Sequence, residues 1–281
     1  MPAVVDAHHH VWDLSVRDQD WITGEQLAPI RRNFTLGDLA PLAHKSGVTA
    51  TVLVQTVTVE EETPEFLALA DGHELVAGVV GWADLTRPDI AETLARLAAL
   101  PGGRYLKGIR HQVQGEPDPE WLLRPDVLRG LAAVADAGLV YDLVVLPHQL
   151  PACAGAAAAL PGLTFVLDHC GKPPVASGAV EPWAGSLRAL AALPNTVCKL
   201  SGLVTEADPA TWTPDVLRPY ADTVLEAFGP GRVMFGSDWP VCTLAATYEQ
   251  VTQAAQELTG SLTAGEREAV FGGTATRVYR L

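Results

Sequence analysis

The chain has 281 residues, 48% hydrophobic and 19% charged, with a formal net charge of −14 at neutral pH. That excess of carboxylates excludes an electrostatic fit to nucleic acid, whose phosphates need basic partners. Length divided by about 150 would allow two domains, but α/β barrels of about 250 residues fold as one.

The chain opens with a short apolar run, Ala3-Val4-Val5, and a strand is expected over Val4–Ala7. Directly after it comes Asp6-Ala7-His8-His9-His10-Val11-Trp12-Asp13. Side chains alternate along a strand, so His8 and His10 share a face about 6.5–7 Å apart, while His9 points the other way and is structural. Two imidazoles at that spacing can grip one ion or one polarised oxygen. Polar Leu14–Phe34 reads as a long loop and Leu36–Ser46 as a helix.

Near-continuous apolar runs then recur at Ala50–Gln55, Val76–Gly81, Leu106–Arg110, Val140–Leu146, Thr164–Leu167, Val197–Leu200 and Val233–Phe235. With the first, they make eight candidate strands of the kind buried on both faces of a parallel sheet. Between them, Glu65–Asp71, Asp89–Leu100, Pro125–Ala137, Leu150–Leu160, Pro182–Ala192, Pro214–Phe228 and Ala245–Leu258 carry helical spacing, and Ser261–Phe271 reads as a final helix. Several open with Pro or Asp and close near Gly. The acidic residues look like a solvated surface, Glu60-Glu61-Glu62 being the one run.

Eight strand–helix alternations predict a parallel sheet with right-handed crossovers. A single-domain (β/α)8 TIM-type barrel over 1–281 is the simplest architecture. An open doubly wound sheet would advertise a glycine-rich phosphate turn after its first strand, and there is none.

In such a barrel the site lies at the C-terminal ends of the strands. Those ends carry His8 and His10; Gln55; Trp82 and Asp84; Lys107, Arg110 and His111; His148; Asp168, His169 and Lys172; Lys199 and Ser201; and Ser237-Asp238-Trp239. Each has a structural reading as well: Trp82 as core, Asp84 as a cap, Lys199 and Arg110 as ion-paired residues of the rim. Ser237 shapes the turn presenting Asp238, since no G-x-S-x-G elbow surrounds it.

No basic and apolar leader opens the sequence, and no apolar run reaches about 18 residues without punctuation. Cys153, Cys170, Cys198 and Cys242 form no C-x-x-C pair and are expected as buried thiols. A cytoplasmic protein acting on a small molecule is expected, with no membrane and no nucleic-acid partner. A homo-oligomer stays open.

Four motifs in order, Asp6…His8-His9-His10…Trp12, Lys107-Gly108-Ile109-Arg110-His111, Asp168-His169-Cys170-Gly171-Lys172-Pro173 and Gly236-Ser237-Asp238-Trp239-Pro240, resemble the amidohydrolase superfamily. More narrowly they resemble the group containing sugar-acid and dicarboxylate lactonases. The resemblance implies a hydrolase that opens a small lactone, most readily a sugar lactone, with Asp238, His169 and Arg110 as catalytic groups. It implies that His8, His10, His169 and Asp238 face the reaction centre and hold one divalent ion, Zn2+ foremost, where a member uses a metal; some members work without one. Trp12, Gln55, Trp82, Lys107, Arg110, His111 and His148 are the expected substrate contacts. The alternative within the resemblance is a metal-dependent decarboxylase of an aromatic or unsaturated acid.

Overall fold

The computed structural model describes residues 4–281, so Ala3 at the head of the first apolar run lies outside the described residues. Eight parallel strands follow one another around a barrel: β1 Val4–His9, β2 Val48–Val54, β3 Val76–Gly81, β4 Leu106–His111, β5 Val140–Leu143, β6 Phe165–Leu167, β7 Thr196–Leu200 and β8 Val233–Phe235. Neighbours in sequence are neighbours in space throughout. The seam between β8 and β1 is closed by Asp238 N–H donating to the His8 carbonyl (2.8 Å) and His10 N–H donating to the Trp239 carbonyl (2.7 Å). Closure thus sets two site segments side by side.

One main helix follows each strand and packs outside the barrel: α1 Leu36–Lys45, α2 Glu62–Asp71, α3 Ile90–Ala99, α4 Pro125–Asp136, α5 Leu150–Ala159, α6 Trp183–Ala191, α7 Pro214–Phe228 and α8 Tyr248–Leu258. Leu39, Leu67, Leu94, Leu131, Leu187 and Val224 turn inward from these helices onto the outer face of the sheet. The inner layer is smaller: Val5, Ala7, Val52, Val54, Val80, Val140, Val166, Val197 and Met234 fill the barrel. A last helix, α9 Thr274–Tyr279, adds Ala275, Val278 and Tyr279 to that inner layer.

Several boundaries differ from expectation for local reasons. Strand β5 stops at Leu143 rather than Leu146, because Val144 gives its carbonyl to the amide of Gln114 in a loop (3.0 Å). Helix α8 starts at Tyr248 rather than Ala245, where Thr247 and Gln250 form a reciprocal capping box. The expected helix Ser261–Phe271 is capped by Thr263, loosens into a wide turn over Ala269–Gly273 and resumes as α9. Helix α2 begins a turn early, at Glu62. That residue is 1% exposed, so the acidic run is not wholly a solvated face. No helix among the described residues is long and apolar enough to cross a membrane. The four cysteines are free and buried.

Candidate active site

Four side chains from β1, β6 and β8 meet where the strands end. His8 Nε2 lies 3.1 Å from His10 Nε2, and Asp238 Oδ1 lies 3.8 Å from His8 Nε2, 3.6 Å from His10 Nε2 and 3.8 Å from His169 Nε2. All four residues are buried. His169, Cys170, Lys172 and Asp238 have φ between 52° and 57°, the left-handed region that L-residues avoid. Backbone held there in the two segments carrying His169 and Asp238 is local strain that the surrounding fold must maintain. Two glycines make room for it. A Cβ on Gly236 would stand 2.7 Å from the His8 Cβ, and one on Gly202 would stand 2.7 Å from the His169 Cβ.

A hydrogen bond behind the ring fixes which nitrogen of His10 faces the centre. His10 Nδ1–H donates to the Val54 carbonyl (2.7 Å), which leaves its Nε2 a bare lone pair. His8 Nδ1 lies 3.3 Å from Asp168 Oδ1. The Lys199 ammonium stands 3.1 Å from the same nitrogen, so His8 has two tautomers open to it: Nδ1–H toward Asp168 with Nε2 bare, or Nδ1 accepting from Lys199 with Nε2–H toward His10. In the first form two lone pairs 3.1 Å apart repel unless a cation lies between them; in the second, His8 Nε2–H donates to His10 Nε2. His169 Nδ1 shares a 3.0 Å hydrogen bond with the Ser201 hydroxyl. A tetrahedral Zn2+ site with bonds of about 2.0–2.1 Å has donors roughly 3.3 Å apart. The spacing of His8, His10 and Asp238 therefore fits a divalent ion, and His169 stands 3.8 Å from the same Asp238 oxygen and groups with His8 and Asp168.

A charged girdle lies beneath. Lys199 is fully buried, with its ammonium 2.6 Å from Asp142 Oδ2, 3.0 Å from Asp168 Oδ1 and 3.1 Å from His8 Nδ1. The Tyr279 hydroxyl donates to the same Asp142 carboxylate from α9 (2.8 Å). Arg110 Nη1 reaches Asp168 Oδ2 at 2.9 Å and sits 3.3 Å from His8 Nε2. Arg110 and Lys199 are thus inside the barrel, not on its rim. Burial and the Lys199 charge hold His8 well below the usual imidazole range, and burial lowers His169 to about 4. Burial would raise Asp238, but His169, His10 and Lys172 outweigh it and the carboxyl is lowered, so it is an anion at neutral pH.

The mouth above these groups is a small cavity of about 90 Å³, lined by His10, Arg110, His169 and Asp238 together with Trp21, Thr56, Gln112, Gln114, Lys172, Thr205 and Glu206. A larger cleft of about 710 Å³ lies to the side, between the β1 loop and α2, and is mostly apolar. None of His8, His10, His169 or Asp238 lines it.

The other expected contacts fall elsewhere. Trp12 is buried, donates its indole N–H to the Arg32 carbonyl and lines the apolar cleft; Trp21 takes the place at the mouth. Gln55 is fully buried and holds Arg110 through its amide oxygen (2.9 Å). His111 is committed to Trp82 (3.0 Å) and Glu116 (2.7 Å) and stacks on Trp121, so neither His111 nor Trp82 lines the mouth. Lys107 is the second residue of β4, at the opposite end of the barrel, where its ammonium meets the Arg280 carbonyl (3.2 Å). His148 is exposed, because Pro147 turns the chain out of the barrel after β5.

Asp142 and Tyr279 were not singled out from the sequence, and Lys199 was given to the rim. A signal existed: Asp142 and Lys199 are lone charges inside near-continuous apolar strands, where a charge needs a partner. Trp21 and Gln112 sit on loops and Glu206 ends the short helix Leu203–Glu206 after β7, and none carries such a mark.

A closed parallel barrel with a histidine–aspartate cluster at the C-terminal ends of its strands defines the class of metal-assisted or acid–base hydrolases built on this fold. A profile of the amidohydrolase family matches residues 5–281, and the chain belongs to that family. It is 40% identical over 291 residues to an L-fucono-1,5-lactonase of Burkholderia multivorans, covering 99% of this chain and 96% of the relative. It superposes with a TM-score of 0.93, at 41% identity and 99% coverage of both chains, on a Burkholderia multivorans amidohydrolase crystallised with bound zinc. A 2,6-dihydroxybenzoate decarboxylase from Rhizobium superposes with a TM-score of 0.67 over 100% of this chain and 99% of its own. At 13% identity that likeness shows the fold alone.

Proposed function

We infer that this chain is a hydrolase that opens the ring of a sugar lactone, with an L-fucono-1,5-lactone or a close stereochemical relative as substrate. The observation that carries the reading is the convergence of Asp238 with His8, His10 and His169 at one mouth. The full-length relationship to a lactonase narrows it from the fold's many chemistries to ring opening.

The reaction needs an activated water, a polarised carbonyl and a proton for the leaving oxygen. Asp238 is the ionised carboxylate at the mouth and acts as the base, taking a proton from water as the oxygen attacks the lactone carbonyl carbon. Negative charge grows on the carbonyl oxygen. Arg110 is the fixed donor beside the cluster and stabilises that charge, its fork held by Gln55 and Asp168 so that little reorganisation is needed. The tetrahedral adduct then collapses with cleavage of the bond to the ring oxygen. Asp238 returns its proton to that alkoxide, and an aldonic acid leaves.

His169 is paired with Ser201 in one of two tautomers. With the serine hydroxyl donating, His169 Nε2–H faces the oxyanion; with Nδ1–H donating, Nε2 is free for an ion. A divalent ion held by His8, His10, His169 and Asp238 would supply Lewis-acid polarisation and a water of lowered pKa. The lining of the mouth suits a polyhydroxy ring, since Gln112, Gln114, Thr205, Lys172 and Glu206 offer both donors and acceptors.

The test is a screen of aldono-1,4- and 1,5-lactones with a pH indicator, before and after chelation. Acid release is expected on 6-deoxy-sugar 1,5-lactones. Release of CO2 from an aromatic acid, with no lactone turned over, would refute the reading.

A further inference from the structure

One buried carboxylate outside the catalytic cluster has no role in the chemistry above. Glu62 is at the start of α2 and is 1% exposed. Its carboxylate accepts from the Thr56 amide (2.8 Å), the Thr56 hydroxyl and the Val57 amide (3.3 Å). All three donors belong to the turn that leaves β2. That turn is the clamp on two residues of the mouth. The Gln55 carbonyl and side-chain oxygen accept from Arg110, and the Thr56 carbonyl accepts from Gln112 Nε2 (2.8 Å). The Gln55 side-chain Nε2 donates to the Val57 carbonyl (3.0 Å) and closes the turn. Next to Glu62, the Thr63 hydroxyl bonds both backbone groups of Trp82 at the end of β3. The first turn of α2 therefore ties down two strand ends, and only the Glu62 tie leads to the mouth.

We propose that Glu62 is a positioning residue for ring opening: it fixes the Gln55–Val57 turn and, through it, the placement of Arg110 and Gln112. The role rests on the lactonase reading for its activity readout. An anion is the form that can accept three donors at once. A protonated carboxyl gives up one acceptor position and brings a proton toward Thr56 and Val57, both already donating. The charged groups around Glu62 are few. Arg17 of the β1 loop stands above it, paired with Glu65 (2.8 Å), while Glu61 and Glu65 flank it on α2. His73, at the far end of the same helix, and Asp13 share the wall of the apolar cleft that Glu62 lines. The ends of β2 and β3 bring only Thr56, Val57 and Trp82, which are neutral.

The experiment compares wild-type protein with Glu62→Gln, and with Glu65→Gln as the control that breaks only the exposed pair with Arg17. Glutamine presents one oxygen and an NH2 group to three donors, so the turn loosens. Expected is a fall in kcat/KM of roughly 10- to 100-fold, mostly in kcat, as for a misplaced catalytic group. Amide exchange at Thr56 and Val57 should rise by about 10-fold or more, while more distant core amides keep their protection. Wild-type kcat/KM should show an ionisation near pH 7, where burial has pushed Glu62, and Glu62→Gln should lack it. Should Glu62→Gln fail to fold, Glu62→Asp keeps a titrating carboxyl but withdraws it by one methylene, and is read by kcat/KM and by exchange at Thr56 and Val57. A folded variant with unchanged kcat/KM overturns the role. So does a rate loss with the pH profile and the Thr56 and Val57 exchange unchanged. A wild-type protein that opens no sugar lactone overturns the functional reading itself, whatever the exchange data show about the turn.

Discussion

Replacing Asp238 by asparagine isolates the proton-transfer role with little else disturbed. The two side chains are isosteric, and asparagine tolerates the φ of 57° at this position better than most residues. The backbone bond from residue 238 to the His8 carbonyl is untouched. The amide oxygen still lies among the imidazoles, but it cannot take a proton from water. Loss of a general base costs roughly 10²- to 10⁴-fold in rate, or about 3–5 kcal/mol in the barrier. Stability should change by less than about 1 kcal/mol, because His8 and His169 are held neutral by burial and no cation loses its only partner. The assay is acid release from a 1,5-lactone in weak buffer, with urea unfolding and bound metal measured on the same preparation. A folded Asp238→Asn protein turning over within about threefold of wild type would remove the base from the mechanism.

Three further outcomes follow from the interior. Lys199→Met strips the buried ammonium from Asp142 and Asp168, and breaking such a buried pair costs about 3–5 kcal/mol; a urea-unfolding loss under about 1 kcal/mol would show that the girdle is not held this way. Glu62 has its pKa raised by burial from 4.5 to about 7, so folding binds a proton there across that window. Its contribution is fully present below pH 4.5 and is lost as pH rises through 7, about 3 kcal/mol in all, and Glu62→Gln should flatten that slope in denaturation curves taken from pH 4.5 to 8. Zinc added to metal-stripped protein should saturate at one ion per chain in calorimetry, and His10→Asn should weaken it by at least about 100-fold; an unaltered affinity would take His10 out of the ligand set.

How far the sequence reached depends on whether a property is local. Strand–helix alternation is local, because a strand buried on both faces must be apolar throughout. Valine-rich runs such as Val76–Gly81 therefore marked their elements, and eight such units implied the barrel. The position of a residue at the end of its own strand is local too, so His8, His10, His169 and Asp238 stand among the strand-end residues legible in the sequence; the family resemblance is what singles out those four.

What a side chain does once there is decided by residues far along the chain. Lys199 and Arg110 looked like rim charges until Asp142, Asp168 and Tyr279, contributed by β5, β6 and α9, closed around them. Glu62 read as one carboxylate of a solvated run until its helix began a turn early and aimed it at Thr56 and Val57. His111 and Trp12 have the chemistry of ligand contacts, yet their hydrogen bonds go to Glu116 and Arg32. The reason is one of range. Periodicity reports which face of an element is buried, whereas the pairing of a buried polar group depends on what the closed barrel brings against it.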